Sequence, residues 1–181
     1  KLLRLGVGRA INLSMTDKPT IRLAHRSDLP TIVEIYNQAI RSGNATGDTE
    51  TYQVADRIKW FEKYDKESHP IYVAEWENKV VGYCTLSPYR SGRKAMLSVA
   101  EVSYYLDYDV HGKGIGTALL QYAIADCSRV GKKNLLAILL DINVASIALL
   151  KKNGFEKWGH FPNIINLNGK VCGQVVYGRQ T

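Results

Sequence analysis

Apolar residues recur along this chain with two periods, near 2 and near 3.6, and the change from one to the other marks its elements. Residues 20–24 alternate and read as a short strand. Ile32, Ile35, Tyr36, Ala39 and Ile40 then fall on one stripe of a helix. Ser27 or Asp28 stands at its N-cap, Pro30 in its first turn and Gly43 at its end. A polar loop, residues 44–51, leads to a second amphipathic helix through Ile58, Trp60 and Phe61, which His69-Pro70 ends. Residues 71–75 and 80–86 read as a hairpin around Glu77-Asn78. A basic loop, residues 88–94, precedes a strand over residues 99–106. Leu119, Leu120, Ala123, Ile124 and Cys127 mark the buried face of a helix over residues 117–130, closed by Gly131. Residues 135–140 are a continuous apolar run, as in a strand buried on both faces. Asn143 begins a last helix that Asn153-Gly154 caps, and residues 155–161 and 171–178 are strands. The order β-α-α-β-β-β-α-β-α-β-β predicts an α/β domain of α+β three-layer type, a mixed sheet with helices on its faces.

Composition narrows the class. With 181 residues, 45% hydrophobic and 23% charged, the chain reads as one soluble globular domain. Its longest apolar run has the length of a core strand, far short of a membrane span, so no membrane partner is expected. Cys84, Cys127 and Cys172 are odd in number and lack CxxC spacing. They read as buried small residues in a reducing compartment rather than as a disulfide or zinc framework. Four scattered histidines predict no metal site. Residues 1–14 precede Met15 and read as a vector-derived segment or an upstream extension, with the domain spanning residues 15–181. That first segment carries Lys1, Arg4 and Arg9 and no acid, so the net charge of +7 falls to +4 without it. The remaining mild excess suits an anionic small ligand better than nucleic acid, since no dense Lys/Arg run with interleaved aromatics is present. The cytoplasm is the expected compartment.

The chemistry gathers at His111-Gly112-Lys113-Gly114-Ile115-Gly116, between the strand at 99–106 and the following helix. Alternate glycines at a helix start leave backbone N–H groups free beside the positive end of the helix dipole, a site suited to phosphate. The spacing fits neither the Walker loop, which needs four residues between its glycines before Lys-Ser/Thr, nor the dinucleotide fingerprint, which is one residue longer.

Leu106, followed four residues later by this run and then by a helix, resembles the acetyl-CoA motif of the GNAT N-acetyltransferases. Asn143-Val144-Ala145-Ser146 with Lys152-Asn153-Gly154-Phe155 resembles the family's second signature. The resemblance covers nearly all of residues 20–178, and within it the chain looks most like the phosphinothricin and methionine sulfoximine acetyltransferase branch. Asp28-Leu29-Pro30, Ile35-Tyr36-Asn37, Tyr72-Val73-Ala74-Glu75, Val80-Val81-Gly82-Tyr83 and the stretch Glu101 to Leu106 carry that likeness. It implies a GNAT fold, a mixed and mostly antiparallel sheet flanked by helices, with acetyl-CoA as co-substrate, a small amine as acceptor and a homodimer. It also implies that backbone N–H groups of Gly112, Lys113, Gly114, Ile115, Gly116 and Thr117 hold the pyrophosphate, with His111 beside them at the cofactor. The backbone of Tyr104, Tyr105 and Leu106 would pair with the pantetheine arm, and Asn143 and Ser146 would meet it from the other side. Glu101 would be the general base, Tyr105 would line the acceptor pocket and donate a proton, and Arg93, Lys94, Val102 and Ser103 would lie on the acceptor side. The chemistry is coherent: an ammonium must lose a proton before it attacks a thioester, and a desolvated carboxylate can take it. An amide N–H then stabilises the oxyanion, and an arginine can hold an acceptor carboxylate.

Departures from the branch bear on the acceptor. His111 replaces the usual Arg or Gln, and Leu150 stands where a Tyr or His would protonate the thiolate. The branch has a Phe near Gly47, a Lys near Ser91, a Tyr near Met96 and a Trp near Cys172, and all four are changed here. Two other readings therefore stand beside the first: acetylation of a protein N-terminus or polyamine, and a CoA-binding module without turnover.

Overall fold

A computed structural model describes residues 18–181; the reading of residues 1–14 falls outside the described residues. The strands are β1 Thr20–Leu23, β2 Ile71–Trp76, β3 Lys79–Pro88, β4 Val99–Leu106, β5 Asn134–Leu140, β6 Glu156–Leu167 and β7 Lys170–Gln180. The helices are α1 Leu29–Ser42, α2 Val54–Phe61, α3 Ile115–Asp126 and α4 Val144–Lys152. The element order is the expected one, and the strands form one sheet in the order β1-β2-β3-β4-β5-β7-β6. Every neighbouring pair is antiparallel except β4 and β5.

Alternation in β4 divides the two layers. Ala100, Val102, Tyr104 and Leu106 point into the larger core, with Leu119, Leu120 and Ala123 of α3 and Leu150 of α4. Tyr105 points to the other face and joins Ile32, Ile35, Tyr83 and Trp60 beneath α1 and α2. No helix among the described residues is long and apolar enough to cross a membrane, and no group of three or more His, Cys, Asp or Glu side chains among them could hold a metal.

Several local details differ from the sequence reading. Asp28 does not cap α1 with its side chain; its carboxylate accepts from the Arg22 guanidinium at 2.7 Å and from the His25 amide at 2.7 Å. Helix α2 stops at Phe61, well before His69, because Asp65 accepts from the amides of Glu67 and Ser68 and offers the backbone a turn in place of a helix. Helix α3 begins two residues early, at Ile115, with left-handed Gly114 as its cap, and ends at Asp126, four residues short of the expected end. Strands β6 and β7 run longer because Asn163, at φ +56°, absorbs a bulge after Phe161 and Asn168-Gly169 makes the turn.

Candidate active site

The site is a place where the sheet comes apart. Strands β4 and β5 pair only over Val99–Glu101 and Asn134–Leu136. Beyond that point β4 stays bonded to β3 on its other side, out to Leu106, and β5 stays bonded to β7 out to Leu140. The facing edges, residues 102–106 and 137–140, therefore have no strand partner among the described residues. Unpaired strand edges are a template for an extended ligand arm.

The glycine run lies just past the open end of β4. Gly112 at φ +78° and Gly114 at φ +81° take a conformation that side-chain-bearing residues resist. Gly116 serves differently: a Cβ there would press on Leu106 and Leu149 at 3.1 Å each. The Lys113 amide bonds to the Val110 carbonyl and the Ala118 amide to the Gly114 carbonyl. Among the described residues the amides of Gly112, Gly114, Ile115, Gly116 and Thr117 have no acceptor. Five free donors at a helix N-terminus suit a pyrophosphate. The Lys113 ammonium sits 4.6 Å from the Trp76 ring centre, and the exposed His111 ring lies against Tyr108 at 4.6 Å.

Across the opening, Asn143 caps α4 by accepting from the Ser146 amide at 3.1 Å. The Tyr104 hydroxyl lies 2.6 Å from Ser146 Oγ, so β4 and α4 are bridged over the gap. Behind Asn143, His160 on β6 donates from Nε2 to Asp141 at 3.1 Å, and Asp141 also accepts from the Gly173 amide at 3.0 Å. Both contacts hold the Asp141 carboxyl below the usual range. The pair crosses over β7 because residue 173 has no side chain: a Cβ there would collide with Asp141 and His160.

Glu101 lies at the fork, on the sheet face beneath α1 and α2. It is half-buried, and burial raises its carboxyl above the ordinary range. No hydrogen bond or ion pair joins it to Arg93, Lys94 or any other described side chain. Arg93 and Lys94 are exposed on the loop after β3. Ser103 and Tyr105 share the face of Glu101. Val102 does not: its side chain is buried in the opposite core, so the acceptor-side role expected of it is corrected to its backbone alone. Ile115 is likewise buried and offers only its amide. Leu150 is 1% exposed and packed in the core, so no proton donor stands there. Cys172 is buried with Leu140 and Leu167.

Several contributors were not anticipated. Asn37 is buried in α1 and holds the Tyr52 backbone at both ends, donating to its carbonyl and accepting from its amide at 2.9 Å each. This ties down the loop carrying Thr46 and Asp48. Tyr36 donates to Asp48 at 2.6 Å, and Tyr52 at 3.2 Å. The Tyr36 ring meets Tyr105 edge-on at 4.9 Å, and burial pushes the Tyr105 hydroxyl up to about 12. The Tyr64 hydroxyl lies 2.8 Å from Ser87, the register partner of Glu101. Asn37 was detectable in principle, as a polar residue among the buried positions of an amphipathic helix; the others come from segments that nothing local connects. Two hollows of about 480 Å³ each lie to the side, one against Phe61, Tyr64 and Pro70, the other against Asp48, Tyr52 and Asp56.

This geometry can be set against known proteins. The family model for "Acetyltransferase (GNAT) family" matches residues 31–155, more than half of the chain. The chain belongs to the GNAT acetyltransferase family. It is an acetyl-CoA-dependent N-acetyltransferase. A Bacillus subtilis protein provisionally named a phosphinothricin acetyltransferase is 40% identical over 162 residues, 89% of this chain and 98% of that one. The L-methionine sulfoximine/L-methionine sulfone acetyltransferase of Pseudomonas paraeruginosa is 33% identical over 80% of this chain and 84% of its own. The crystal structure of a phosphinothricin acetyltransferase from Sinorhizobium meliloti in complex with acetyl-CoA superposes with a TM-score of 0.85 at 30% identity, covering 90% of this chain and 88% of that one. The open fork and the glycine cradle of this GNAT acetyltransferase fit the extended arm and the pyrophosphate of acetyl-CoA.

Proposed function

We propose that this acetyltransferase acts on the primary amine of a small, amino-acid-like acceptor of the phosphinothricin or methionine sulfoximine type. One observation carries the reading: an unpaired carboxylate, raised by burial, sits at the fork of a sheet whose open edge leads to five free amides. The names of the relatives support the acceptor class. Acetyl-CoA supplies an activated thioester. The amides of Gly112, Gly114, Ile115, Gly116 and Thr117 hold its pyrophosphate; the Lys113 amide, expected among them, is taken by the Val110 carbonyl. The edge of β4 at Tyr104–Leu106 binds its arm, opposite Asn143 and Ser146. Glu101 takes the proton of the acceptor ammonium, directly or through water. The nitrogen bonds to the acetyl carbon as the carbon–sulfur bond breaks, while an amide of β4 stabilises the oxygen. The sulfur leaves as thiolate and takes a proton from Tyr105, which is still protonated at neutral pH. The nitrogen gives up its second proton as the amide forms, and this proton restores Tyr105, directly or through water, while Glu101 releases its own to solvent. Arg93, Lys94 and Ser103 border the acceptor.

The reading extends to assembly and place. Trp158, Phe161, Ile164 and Val171 stand about half exposed along the β6–β7 hairpin, an apolar surface suited to a second copy of the chain. Three buried free cysteines suit a reducing cytoplasm.

The test is CoA release with a panel of amino acids, methionine sulfoximine, methionine sulfone, phosphinothricin, polyamines and peptides. Turnover confined to the amino-acid group is expected. Preference for peptides or polyamines overturns the acceptor assignment, and release with no amine leaves a CoA-binding module.

A further inference from the structure

On the acceptor face an arginine is stacked and left without an anion. The Arg57 guanidinium carbon lies 4.1 Å from the Trp60 ring centre, 4.9 Å from Tyr52 and 5.0 Å from Tyr36. Arg57 is half-buried, and no carboxylate among the described residues lies within 4 Å of it. Other arginines of this chain do pair: Arg22 with Asp28 and Glu75, Arg26 with Glu62, Arg41 with Glu34, Arg129 with Asp126. Arg57 has acids close by as well, but they are committed. Asp48 accepts from the Tyr36 and Tyr52 hydroxyls, and Asp56 accepts from the Gln53 amide at 2.8 Å. Asn37 locks the Tyr52 backbone, so one wall of the cage is rigid.

The rings shelter the cation without using its N–H donors, and no hydrogen-bond acceptor among the described residues takes them, so they are free for a planar anion. The rings also link this cation to the reacting centre. Tyr36 touches Tyr105, and Trp60 meets Tyr64 at 5.1 Å, whose hydroxyl reaches Ser87 beside Glu101. A cation on the acceptor side, held in place and unpaired, has the chemistry of a carboxylate anchor.

We propose that Arg57 binds the carboxylate of the acceptor and so selects free amino acids over amines that lack an acid group. The proposal rests on the amino-acid-like acceptor assigned above. It differs from the expectation for Arg93, which lies exposed on a loop with no aromatic wall.

The experiment compares methionine sulfone with its carboxamide, in the intact protein and in Arg57→Met and Arg57→Lys. Losing a charge-assisted bidentate contact should raise KM for the acid about 10- to 100-fold in Arg57→Met, since each 1.4 kcal/mol is tenfold. KM for the carboxamide and kcat should change less than about twofold, because the contact is uniform binding rather than transition-state binding. Arg57→Lys keeps the charge without the fork and should fall between. Thermal melts of both variants separate misfolding from lost binding. Tryptophan fluorescence titration with the same two compounds gives a readout that needs no turnover. If the parent protein acetylates neither compound, the acceptor assignment fails, and the titration still decides Arg57. An acid-over-amide preference that survives both substitutions in folded protein overturns the proposal, as does a parent protein with no such preference.

Discussion

The proposed base, Glu101, concentrates the proposed chemistry into one side chain. Burial without a cationic partner favours its neutral form, so its proton leaves above the ordinary carboxylate range. A base works only when deprotonated, so kcat/KM falls as pH drops through that raised value. Replacing Glu101 by Gln should lower kcat about 10²- to 10⁴-fold, the usual contribution of a positioned base, and remove the acid limb. Acetyl-CoA affinity should stay the same. A pH–rate profile with its acid limb intact in the variant shows that another group is the base. Residues of this kind are visible in a sequence only as types. Glu101 stands in an apolar strand within reach, by sequence, of Arg93 and Lys94, and only the structure separates it from both.

The elements do two kinds of work here. Strand β4 and helix α3 are built from local signals: alternation, a glycine that turns left-handed, free amides at a helix start. The turn after β5 depends instead on a partner two strands away. Asp141 is bound by His160 across Gly173, and this strap steadies the turn that presents Asn143. Gly173→Ala puts a methyl group where the two side chains meet. The strap should open, with a loss of about 1–3 kcal/mol, typical of overpacking. KM for acetyl-CoA should rise while kcat at saturation holds. Urea denaturation and initial rates measure both, and a variant of unchanged stability refutes the strap. His160 and Gly173 look unremarkable in sequence because the pairing of β6 with β7, and of β7 with β5, is what brings them together. The bulge at Asn163 similarly hides the length of β6, since Pro162-Asn163 reads as a strand end.

At the scale of the molecule, long-range ties hold the site's surroundings. Lys132, 5% exposed after α3, donates to His69 Nε2 at 3.1 Å and to the Leu97 carbonyl at 3.0 Å. The link joins the segment after α2 to the start of the β4–β5 pair. Burial, and next the Lys132 charge, lower the His69 pKa from 6.5. Below about pH 6.5 the unfolded chain therefore binds more protons than the folded one, and stability falls with pH by up to ~1 kcal/mol per unit. His69→Gln should flatten melting temperature between pH 7 and pH 5; an unchanged slope rejects this tie. Assembly belongs to the same scale. Sedimentation equilibrium should return a dimer, and Trp158→Ser with Phe161→Ser should shift it to monomer; a parent monomer at micromolar concentration rejects the interface. Sequence alone determined a phosphate cradle at a helix start, because glycine conformation, helix capping and strand alternation are local properties of the backbone, and its family resemblance named the donor. It also determined the order of the elements. Only the tertiary structure decided that β4 and β5 part after three residue pairs, that Glu101 is unpaired, and that Arg57 meets three rings from two separate segments. Those facts depend on which distant side chains share a face of the sheet, and no spacing along the chain records that.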